Sequence, residues 1–98
     1  MNTCDIKIID TIKINCCTYS KETTLNDLEV DSRISLYGIN TLAVKSIFKD
    51  HVTLSIESTN CCFIRNFFLE TTIPCCFKDG CNAQNIKIQV LKIHYIEK

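Results

Sequence analysis

Tryptophan is absent from this chain of 98 residues, proline occurs once and glycine only at positions 38 and 80. Two isolated glycines cannot line a phosphate cradle. Neither G-x-x-x-x-G-K-[ST] nor G-x-G-x-x-G occurs, and G-x-S-x-G and H-E-x-x-H are missing as well. An excess of either charge is lacking too, since eleven Lys and Arg balance eleven Asp and Glu. Nucleic-acid binders draw much of their affinity from clustered Lys and Arg that neutralise phosphates, so nucleic acid is not expected as a partner. The lysines instead alternate along extended segments, as at Lys7, Lys13, Lys87 and Lys92, the pattern of a solvated sheet face.

Long apolar runs are missing. None approaches the roughly 20 residues of a membrane helix, so no membrane partner is expected. The N-terminal stretch Met1-Asn2-Thr3-Cys4-Asp5-Ile6-Lys7 has no basic region, apolar stretch or small-residue cleavage site of a secretory leader. Taking Met1 as the start, a cytoplasmic location is expected.

What is present is period-two alternation of Ile, Val and Leu. Ile6, Ile8, Ile12, Ile14 and Cys16 share one parity, and Lys7, Thr11, Lys13 and Asn15 the other. That pattern predicts one long strand, or two meeting near Asp10. Thr18 to Asp31 is polar and acidic, anchored by Leu25, Leu28 and Val30, and reads as a short strand and turn. Asp27, Glu29 and Asp31 read there as a solvated acidic loop, with weak calcium binding as the alternative.

Leu42–Phe48 and His51–Glu57 alternate on either side of Lys49-Asp50, which predicts a β-hairpin. Cys62–Ile73 is apolar and aromatic and ends at Pro74, and Cys75–Asn85 reads as a loop with an Asp79-Gly80 turn. In the last segment the apolar parity switches from Ile86, Ile88 and Val90 to Leu91, Ile93 and Tyr95. One extra residue in a strand produces such a switch, so a β-bulge is predicted near Val90-Leu91. The whole, residues 1–98, reads as a single all-β domain. Its expected form is an antiparallel sandwich or partly open barrel of six to eight short strands, with little or no helix.

Eight cysteines stand out: Cys4, Cys16, Cys17, Cys61, Cys62, Cys75, Cys76 and Cys81. Without an export signal a disulfide framework is not expected, and a buried free thiol behaves as a small hydrophobe. Parity puts Cys16 in the core and Cys17 on the polar face. Cys75, Cys76 and Cys81 share one predicted loop and form the candidate site for zinc or another thiophilic metal, with Cys4, Cys61, Cys62, His51 or His94 as fourth ligand. Their spacing, C-C-x4-C, is not that of paired C-x2-C knuckles. A Cys81–His94 pair for thiol catalysis lacks any surrounding motif.

No other catalytic signature is present, and no bound cofactor is expected besides that metal. The expected function is therefore a non-enzymatic binding module that engages another protein, or itself, through an edge strand. The aromatic stretch Phe63–Leu69, with Phe63, Phe67 and Phe68, is the candidate surface; a central strand buried on both faces is the alternative reading.

Overall fold

A computed structural model describes residues 1–14, 17–37, 41–57, 62–67, 70–75 and 83–96, with the backbone alone for 62–67, 71, 73–75 and 83. Eight strands follow one another: β1 (Thr3–Ile14), β2 (Cys17–Leu28), β3 (Arg33–Ser35), β4 (Thr41–Ile47), β5 (Val52–Glu57), β6 (Cys62–Phe67), β7 (Glu70–Cys75) and β8 (Ala83–His94). There is no helix among the described residues, and hence none long and apolar enough to cross a membrane. The strands form two open antiparallel sheets, ordered β2-β1-β8-β7 and β3-β4-β5-β6. The sheets pack as a sandwich rather than closing into a barrel.

The core lies between them. Ile6, Ile8, Ile86 and Ile88 of the first sheet meet Leu42, Val44, Leu54 and Ile56 of the second in one buried cluster. The period-two repeat puts every second side chain on this inner face, where removal from water stabilises the pairing of the sheets. Burying one such Ile or Leu contributes about 1.5–3 kcal/mol.

Three strands are longer than expected: β1, β2 and β8 each run 12 residues. At about 3.3 Å per residue each spans roughly 40 Å, which accounts for a molecule measuring 51 × 22 × 18 Å. The polar segment after Cys17 is strand because its main chain pairs with β1 from Ile14↔Cys17 to Cys4↔Leu28. Its side chains are largely exposed, so their polarity does not oppose that pairing. Cys75 and Ala83–Asn85 also belong to strands, through the pairs Cys75↔Gln84 and Lys13↔Ala83. The apolar run before Pro74 is divided between two edge strands of different sheets, β6 and β7. Pro74 therefore sits where a missing N–H is tolerated.

The expected hairpin is present, with Phe48 N–H donating to His51 O at 2.9 Å across Lys49-Asp50. The last-strand bulge is also present: Ile6 pairs with Val90 and Asp5 with Lys92, leaving Leu91 over. Through it both Val90 and Ile93 can face inward. Asp10 does not divide β1. It lies on the core face of one continuous strand, 2% exposed.

Candidate functional site

Two polar clusters involve β1, one on each face. The inner one is built on Asp10. Its Oδ2 accepts the Tyr37 N–H at 2.6 Å and its Oδ1 accepts Gln84 Nε2 at 2.8 Å. Gln84 Nε2 also lies 3.4 Å from Tyr37 O. A buried carboxylate is tolerated only when such donors replace its water. The cluster ties β1 and β8 to the chain leaving β3, and so joins the two sheets at one end. Lys21, paired with Asp10 in register, places Nζ 5.9 Å from the centre of the Tyr37 ring.

The outer cluster lies about five residues along β1 at the other end, on Asp5, Asp27 and His94. Both neighbours of β1 are irregular opposite Asp5. On β8 the extra residue is Leu91; on β2 the register moves from Ile6↔Leu25 to Cys4↔Leu28, which inserts one residue beside Asp5. Asp27 takes up that insertion with a left-handed backbone, φ 57°, a conformation Asp tolerates better than most residues. Its N–H donates to Asp5 Oδ1 at 2.9 Å. Asp5 Oδ2 lies 3.4 Å from His94 Nε2, which is 4.0 Å from Asp27 Oδ1. The Asp27 N–H, then His94 and Lys92, hold the Asp5 carboxyl below the usual carboxylate range. One residue beyond this cluster, Met1, Asn2, Tyr95 and Ile96 line an open depression of about 520 Å³.

Asp27 was legible in the sequence as part of an acidic loop with Glu29 and Asp31. The structure separates these three: Asp27 belongs to the β2 bulge, and Glu29 and Asp31 belong to the turn that carries the chain to β3, where Ser32 N–H donates to Glu29 O at 3.1 Å. No signal in the sequence joined Asp27 to Asp5 and His94, because the link runs through the pairing of strands distant in sequence.

The thiol candidates are placed as follows. Cys75 ends β7 opposite Gln84, and only its backbone is described; Cys76 and Cys81 lie outside the described residues. Cys16 and Cys61 lie outside them as well. Cys17 is exposed and Cys4 is buried, and both are free thiols. Burial, with the Asp5 charge, pushes the Cys4 thiol up to about 11.

Three of the proposed fourth ligands stand away from the Cys75 backbone. His94 stands ten residues along β8 from Gln84, roughly 33 Å at strand rise. Cys4 pairs with Ile93 at that same far end, and His51 closes the β4–β5 hairpin. Cys62, which pairs with Glu57, is at the Cys75 end. Of the Cys81–His94 pair only His94 is placed, because Cys81 lies outside the described residues.

The aromatic stretch begins in β6. β6 is an edge strand of its sheet, not a central one, and Phe68 and Leu69 lie outside the described residues. The longest edge in the molecule's described part is β2, which pairs with β1 alone. Tyr19 on it is 53% exposed, and Ile14 across the hairpin is 40% exposed. On the outer face of this sheet Lys7 pairs with Glu22 at 2.7 Å and Lys87 with Glu70 at 3.3 Å.

No protein-family model, no curated protein and no solved structure matches the chain.

Proposed function

We propose that this chain is a non-enzymatic binding module that receives an extended segment of another protein along the free edge of β2. The observation that carries this reading is a 12-residue edge strand paired on one side only and exposed over most of its length. Edge strands are usually blunted by shortness, proline or charge, because their unpaired N–H and C=O groups template another strand. β3 is blunted by its 3 residues and β7 by Pro74. β2 carries only Lys21 and Glu22 at its centre and a bulge at its far end, which leaves residues 17–25 regular.

An added strand would gain main-chain hydrogen bonds along this edge. Its alternate side chains would read Tyr19 and Ile14 on one face and the Lys7–Glu22 pair on the other. The free thiols of Cys4 and Cys17 suit a reducing, cytoplasmic setting.

The test is selection of extended peptides from a display library on the immobilised chain, followed by amide shift mapping of the selected peptides. Binders with alternating apolar residues that perturb amides 17–25 are expected. Peptides that map to β3, β6 or the hairpin loops, or a library that yields no binder, would overturn the proposal.

A further inference from the structure

We propose that Asp5, Asp27 and His94 form a binding site for a divalent cation of the zinc class. The ligands are Asp5 Oδ2, an Asp27 carboxylate oxygen and His94 Nε2, with water completing a tetrahedron.

The donor set comes from three neighbouring strands. β1 supplies Asp5, β2 supplies Asp27 and β8 supplies His94. One ligand atom from each lies within 4.8 Å of the other two. Zinc bonds to oxygen and imidazole nitrogen run near 2.0–2.2 Å, which places tetrahedral ligands about 3.3–3.6 Å from one another. The Asp5–His94 separation of 3.4 Å lies within that range, the His94–Asp27 separation of 4.0 Å lies just beyond it, and the third is no more than 4.8 Å. The Asp27 side chain is 79% exposed, which leaves it room to move towards the other two ligands.

Chemistry narrows the ion. An imidazole among the donors disfavours calcium and magnesium, which seek oxygen shells of six or more. Two carboxylates and one imidazole with an open position suit zinc and its borderline neighbours. Two negative charges around the ion balance its own. Asp5 has a further property of a metal ligand: its Oδ1 is fixed by the Asp27 N–H at 2.9 Å, so Oδ2 is held facing His94 Nε2. His94 and Asp27 both reach solvent, which gives the ion its entry.

This places the metal at the opposite end of β8 from Gln84, the residue that pairs with the Cys75 backbone. The two assignments are separable by experiment. Zinc is titrated into reduced, metal-free protein while backbone amide shifts are followed, in the unaltered chain and in Asp27→Asn and His94→Ala. Saturating shifts at residues 3–6, 26–28 and 93–95 are expected, with at least tenfold weaker binding in either variant. Asp27→Asn removes one ligand charge while leaving the backbone N–H to Asp5, so it tests the site without dismantling the bulge. Shifts confined to the cysteine-bearing strand ends and indifferent to both variants would overturn the proposal. So would the absence of any shift at millimolar zinc, which would leave Asp5 and His94 as a hydrogen-bonded pair alone.

Discussion

Removing the Asp10 carboxylate tests how the two sheets are joined. Asp10 and Gln84 are 2% and 1% exposed, so neither gains a water when its partner is lost. In Asp10→Ala the Tyr37 N–H loses its acceptor, and Gln84 Nε2 loses its 2.8 Å hydrogen bond while retaining the contact to Tyr37 O at 3.4 Å. A donor deprived of its acceptor at a part-buried site costs about 1–3 kcal/mol, and the truncated side chain also leaves a small void. The expected loss is about 3–4 kcal/mol, a large share of the 5–15 kcal/mol by which domains are stable. For a chain of this size that corresponds to a midpoint lower by roughly 12–25 °C.

Asp10→Asn keeps one acceptor but turns an amide NH₂ toward one of the two donors. Its cost should be intermediate, about 1–2 kcal/mol. Urea unfolding followed by far-ultraviolet circular dichroism measures both, and the slope should stay unchanged because the buried surface does. A double-mutant cycle with Gln84→Ala should show a coupling of at least 0.5 kcal/mol between the two positions. The reasoning is refuted if Asp10→Ala lies within 0.5 kcal/mol of the unaltered chain, or if the two sites add without coupling.

Acid should weaken the fold through carboxylates whose native partners favour the charged form. Asp5 is held low mainly by the Asp27 N–H, Asp50 by His51 and Glu57 by Arg33, whose Nη1 is 2.7 Å away. A lowered native pKa means that the stabilisation is complete above the ordinary carboxylate pKa and is lost as pH falls through the native value. The urea midpoint should therefore drop below about pH 4, and Asp5→Asn with Glu57→Gln should flatten that dependence; a midpoint independent of pH down to 2 would contradict it. The thiols give a second test. With its pKa near 11, Cys4 is about a thousandth thiolate at pH 8 and is shielded as well. Iodoacetamide followed by peptide mass mapping should label exposed Cys17 at least a hundredfold faster, with Cys4 reacting only in denaturant; equal rates would show that the β1–β8 end opens freely.

The sequence by itself determined that the chain is built of strands and which way the apolar ones face, though not how far β2, β7 and β8 extend. Period-two alternation is a local property, so Ile6, Ile8, Ile86 and Ile88 declared an inner face, and the parity switch at Val90-Leu91 declared a bulge. The hairpin around Lys49-Asp50 was legible for the same reason. Sheet order was not, because it depends on pairings across the whole chain. β1 lies between a hairpin partner and a strand some eighty residues away. Only that arrangement decides that β2 and β6 are edges, and that His94 lies far from Cys75. It also decides that Asp10, which in sequence looked like a break, finds its donors 27 and 74 residues away. The Asp5, Asp27 and His94 cluster arises the same way, from two irregularities that meet only when three strands lie side by side.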